Sequence, residues 1–149
     1  MFRTAVGILA FVLSTGPASA AWDLQQGSGA ATTRFDGGRY DLQLSCRKGR
    51  GLELTLTDGT GRGDTFRDVR GLMLWFTMPD GRTDRWPVDV GASGATLSGR
   101  VVVSDFNLDF FRHGKGFRLD APQTGTVFME GDMKGTGAAR LAFLEQCGI

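Results

Sequence analysis

The side chains able to do chemistry are few, and that scarcity limits the choices. His113 is the single histidine of the 149-residue chain, so a histidine-rich metal site cannot be assembled, and neither Cys46 nor Cys147 has a second cysteine at metal-binding spacing. Asp105 and Asp109 stand four apart and would share one face of a helix, a spacing open to paired-carboxylate acid–base work with His113 as a nearby base. The same residues also describe a solvated helix, because its dipole favours acids near the start and a histidine near the end. No Gly-x-Ser-x-Gly elbow occurs. Hydrolysis through Asp105, Asp109 or His113 is thus the least favoured reading, and no catalytic, metal-binding or cofactor-binding residue is assigned. Trp75 and Trp86 are the candidates for a binding surface, since aromatic side chains carry much of the energy at interfaces. Their place in alternating strands suits a core better.

The glycine-dense run Asp58-Gly59-Thr60-Gly61-Arg62-Gly63-Asp64 invites three functional readings. A phosphate cradle needs a Lys-Ser or Lys-Thr pair and a helix after the glycines, which are missing. A calcium loop needs acids at short fixed spacings, whereas Asp58 and Asp64 stand at the two ends. Arg62-Gly63-Asp64 spells an adhesion tripeptide, which arises easily by chance in a chain so rich in these residues. A plain loop is the expectation.

The first twenty residues belong to no domain. Arg3 supplies a positive start, Ala5 to Leu13 an apolar run too short for a permanent membrane anchor, and Ala18-Ser19-Ala20 a small-x-small cleavage site. Residues 1–20 therefore read as a secretory signal peptide, cut after Ala20 or Ala21, leaving residues 21–149 as one domain. The chain carries 17 basic and 16 acidic side chains, and only Arg3 falls in the leader, so the remaining charge is close to zero. With the arginines scattered along the sequence, a nucleic-acid partner is not expected.

Export gives the two cysteines a meaning: Cys46 and Cys147 are each other's only possible partner and read as one disulfide. Closing a loop of about 100 residues restricts the unfolded chain by about 4–5 kcal/mol on the entropy model.

The elements that must position these groups are mostly strands. Tyr40, Leu42, Leu44 and Cys46 alternate with polar residues, and Leu52, Leu54 and Leu56 do so again after the Lys48–Gly51 turn, which predicts an antiparallel hairpin with Cys46 on its buried face. Trp22-Asp23-Leu24 starts an edge strand and Ala30–Phe35 forms another. Val69–Met78 is apolar on both phases, as in a central strand. Thr83–Val90 returns from the Pro79–Arg82 turn, with Pro87 placing it at an edge or bulge. After a Gly91–Gly94 loop, Ala95–Val103 forms a strand in which Gly99 marks a bend or bulge.

Ser104–Gly114 reads two ways. Ser104 can cap a helix with Phe106 and Phe110 stacked at i,i+4, or Phe106, Leu108 and Phe110 can alternate along a strand; helix is favoured. Phe117–Ala121 and Thr126–Glu130 are strands, and a helix from Thr136 or Gly137 runs to Cys147, burying Phe143, Leu144 and Cys147. The expected fold is mainly β (α+β). It is an antiparallel sandwich or partly closed barrel of about seven to nine strands with one or two short helices, the last cross-linked to the hairpin.

A Trp near the mature start, a Leu-x-Cys strand and a final strand leading into a helix ending in Cys together resemble small uncharacterised exported proteins of Gram-negative bacteria. That resemblance implies a periplasmic location. Tyr40–Cys46 and Ser93-Gly94-Ala95 are also similar to periplasmic lysozyme inhibitors of the small β-barrel type, with Leu97 where those inhibitors carry tyrosine. The expectation is a non-enzymatic periplasmic or secreted domain without cofactor. It would bind a protein or small ligand of the cell envelope as an accessory domain and keep no stable membrane anchor after signal cleavage. The alternative is an inhibitor of a cell-wall lytic enzyme.

Overall fold

Alternation of apolar and polar residues dominates the chain, and the computed structural model, which describes residues 21–149, resolves it into strands. β1 (Trp22–Gly27), β2 (Ala30–Asp36), β3 (Tyr40–Arg47) and β4 (Gly51–Asp58) run as a meander, and a short 3-10 helix (Asp64–Phe66) leads onward. β5 (Gly71–Thr77), β6 (Thr83–Asp89), β7 (Gly91–Ser93) and β8 (Thr96–Val101) follow. Then come α1 (Asp105–His113), β9 (Gly116–Ala121), β10 (Thr126–Asp132) and α2 (Thr136–Cys147). The signal peptide and its cleavage site after Ala20 lie outside the described residues.

Two antiparallel sheets result, one of six strands in the order β1-β2-β3-β4-β8-β7 and one of four in the order β10-β9-β5-β6. They pack as a sandwich, which decides against a barrel. Among the described residues ten strands are formed where about seven to nine are expected from the pattern; Gly91–Ser93, read as loop, pairs with Thr96–Ser98 as β7. The hairpin Tyr40–Asp58 is regular from end to end, with Leu42 opposite Leu56, Leu44 opposite Leu54 and Cys46 opposite Leu52. β5 is central and β6 is an edge strand, so Pro87 withholds a donor only from the open side.

Gly99 causes no bulge, for the β4–β8 register is unbroken through Leu54 opposite Gly99. A Cβ there would collide with the main-chain oxygen of Asp89 and the side chain of Val88. The glycine thus lets β8 of one sheet touch β6 of the other. The irregularity in pairing falls instead between Val127 and Met129 of β10.

Away from that contact, helices fill the core. Phe111 of α1 meets Trp22 of β1, Phe76 of β5, Trp86 of β6 and Phe143 of α2 at ring-centroid distances of 5.5, 5.7, 5.9 and 6.1 Å. One side chain thereby joins both sheets and both helices. The helix reading of Ser104–Gly114 holds, and its N-terminal end is satisfied by a capping box. The Ser104 hydroxyl accepts from Asn107 N at 3.3 Å, and Asn107 Oδ1 accepts from Ser104 N at 3.0 Å.

α2 ends where Gly148, at φ 73°, donates to the Leu144 carbonyl. Its Cys147 is bonded to Cys46 across a Cα–Cα distance of 6.1 Å. Leu144, expected to be buried, is 52% exposed, while Phe143 is fully buried. The buried face turns instead through Ala139, Ala142 and Phe143 toward the sulfur.

Candidate functional site

Strand alternation sends Trp75 and Trp86 to opposite sides of the smaller sheet. β5 turns Leu72, Leu74 and Phe76 inward, and the intervening phase puts Met73 and Trp75 on the outer face. Trp86 lies opposite Leu74 and is 1% exposed, with its ring 4.5 Å from that of Phe76 and its Nε1 donating to Asp84 Oδ2 at 3.0 Å. Trp86 is core. As a surface candidate Trp86 is corrected to core, and of the two only Trp75 lies on the outer face, because Trp86 is in register with inward-facing Leu74, one residue out of phase with Trp75.

Trp75 stands between Arg85 of β6 and Arg118 of β9, and Met73 between Pro87 and Asp120. Arg118 Nε lies 3.1 Å from Asp120 Oδ2 and 3.9 Å from Glu130 Oε1. A concavity of about 180 Å³ opens beside the indole, lined by Trp75, Arg118, Asp120, Ala121, Pro122 and Gly125. The indole and proline supply apolar faces for a flat or ring-shaped group, and Arg118 and Asp120 supply donors and an acceptor at its rim.

The residues considered for acid–base chemistry lie elsewhere. Asp105, Asp109 and His113 are all exposed on α1. Asp105 pairs with Arg140 Nη2 of α2 at 3.3 Å, while Arg140 Nη1 donates to the main-chain oxygen of Ile149 at 2.7 Å. Asp105 therefore helps dock the two helices. None of the three lines the concavity beside Trp75.

Asp58 was the acid with a hidden role. Its side chain is wholly buried and accepts from Thr60 N at 3.0 Å, Thr60 Oγ1 at 2.8 Å and Arg39 Nη2 at 3.3 Å. The Thr60 N–H first, then the Thr60 hydroxyl and Arg39, hold this carboxyl below its ordinary value against the opposing effect of burial. The local signal was Asp-Gly-Thr after a strand, the mark of an Asx turn. In Arg62-Gly63-Asp64, Gly63 has φ 65° and no room for a Cβ against the Gly94 carbonyl, so its place is structural. Ser93 and Gly94 are exposed at the β7–β8 turn, whereas Leu97 is fully buried.

Among the described residues no group of three or more His, Cys, Asp or Glu is placed to hold a metal. No helix of the described chain is long and apolar enough to cross a membrane. The class defined by these features is a disulfide-tied antiparallel β sandwich with two helices packed against its core and a tryptophan-bearing outer face. Comparison with protein-family models, curated proteins and solved structures found no match for the chain.

Proposed function

We propose that the protein is a non-catalytic binding domain of an exported, oxidising compartment such as the periplasm, and that it meets its partner on the outer face of β5, β6 and β9. One observation carries this reading. Trp75 is partly exposed beside a concavity, whereas Trp22 and Trp86, the other two tryptophans, are 3% and 1% exposed in the core. The part of the indole left at the surface forgoes a fraction of the roughly 1.5–3 kcal/mol that full burial of a large apolar side chain is worth, and contact with a partner recovers it. The Cys46–Cys147 bond supports the compartment, since such bonds persist where thiols are oxidised.

The surface tryptophan is also its own reporter. Acrylamide will quench Trp75 far more than the two buried indoles, and fractions of envelope extract containing the partner will protect it. Trp75→Ala is expected to keep the wild-type thermal melt and lose capture of that partner. Equal capture by the wild type and the variant would remove this face from the function.

A further inference from the structure

The larger sheet also has an uncovered outer face, and pairing with β8 brings Arg100 onto it beside Arg47 and Arg50 of the β3–β4 hairpin, about fifty residues earlier in the chain. The register aligns Thr32 with Ser45, Ser45 with Glu53 and Glu53 with Arg100, a polar row across β2, β3, β4 and β8. One row along, Ala30, Arg47 and Gly51 are aligned. Flanked by a methyl group and a bare backbone, Arg47 borders a hollow. Arg50, in the β3–β4 turn, closes its end, and the resulting concavity has a volume of about 460 Å³ with Arg47, Arg50, Arg100 and Glu53 around it.

These three guanidinium groups are uncommitted. Arg34, on the same face, is held by Asp41 through hydrogen bonds of 2.9 and 2.7 Å. No carboxylate among the described residues forms an ion pair with Arg47, Arg50 or Arg100. Three cations against the one acid, Glu53, leave a local positive excess in a chain whose overall charge is near zero.

We infer that this concavity is a second binding site, for a small phosphorylated sugar. Guanidinium forks match phosphate oxygens in pairs, which accounts for the arginines. The hydroxyls of Thr32 and Ser45, the amide of Gln43 and the carboxylate of Glu53 offer acceptors and donors to sugar hydroxyls, which a bare anion does not use. Glu53 also repels a second phosphate. The volume lies within the roughly 300–1,000 Å³ of small-molecule sites, and its polar lining selects a polar occupant.

The test is calorimetric titration of the disulfide-bonded chain at low salt with glucose 6-phosphate, glucose and inorganic phosphate. Glucose 6-phosphate is expected to bind about tenfold or more tightly than either fragment, and to weaken as salt is raised. Arg100→Ala and Arg50→Ala should each lower its affinity about tenfold with the thermal melt unchanged. Arg112→Ala, on α1, should leave it alone. Glu53→Gln should narrow the gap between glucose 6-phosphate and inorganic phosphate. No detectable binding of glucose 6-phosphate, equal binding of inorganic phosphate, or affinity indifferent to Arg50 and Arg100 would each overturn the inference.

Discussion

Single residues here do work that their chemical type does not announce. Asp58 looks like a loop acid and is a buried turn anchor, and the depression of its pKa fixes the sign of its contribution to stability. A carboxyl whose folded pKa lies below its ordinary 3.8 stabilises the fold above that pH, and the stabilisation drains away as pH falls toward the lowered value. Wild type should therefore melt higher than Asp58→Asn at neutral pH, with the two melting curves converging as the solution is acidified below about pH 4. Gly99 has the opposite character, since what matters is the atom it lacks. Gly99→Ala forces β8 away from β6 and is expected to cost about 1–3 kcal/mol in urea unfolding. A cost below a few tenths would mean that the sheets are not in contact there.

At the scale of elements, α1 is held by a chain of polar contacts that begins at its cap. Asn107 completes the capping box with Ser104, and its Nδ2 donates at 2.9 Å to Asp84 Oδ2, the same oxygen that accepts from Trp86 Nε1. Losing the cap in Ser104→Ala should cost about 1 kcal/mol, the usual value for a helix N-cap. Asp84→Ala should cost more, about 1–3 kcal/mol, because the indole N–H of buried Trp86 is left without an acceptor. Denaturant titration of the two variants gives the ranking, and a reversed order would place the strength of the α1 anchorage in its cap.

For the molecule as a whole, the disulfide is the long-range fastening. It joins residues separated by 101 positions, linking β3 to the end of a helix whose face packs against the same sheet. Reduction, or replacement of both cysteines by serine, is expected to remove roughly 4–5 kcal/mol on the chain-entropy model. That is a large share of a total near 5–15 kcal/mol. The midpoint of urea unfolding with and without reductant measures it. An unchanged midpoint would mean that packing alone holds α2 in place.

Strand positions, the hairpin, the placement of β6 at an edge or bulge, the capped α1 and the cysteine pairing were legible in the sequence because each rests on a local rule: alternation, a proline without a donor, a serine at a helix start, two cysteines with no other partner. Face by face, the alternation also told which side of most strands is wet, though not of β5, which is apolar on both phases and yet carries Met73 and Trp75 on an outer face. It could not tell which wet residues become neighbours, since that depends on strand order and register between segments far apart in the chain. So Trp75 and Trp86 read alike and lie on opposite faces, Gly99 read as a local bend and is a contact between sheets, and Arg47, Arg50 and Arg100 read as scattered charge yet surround one hollow. Side-chain type and spacing determined the elements; the pairing of distant strands decided the surfaces.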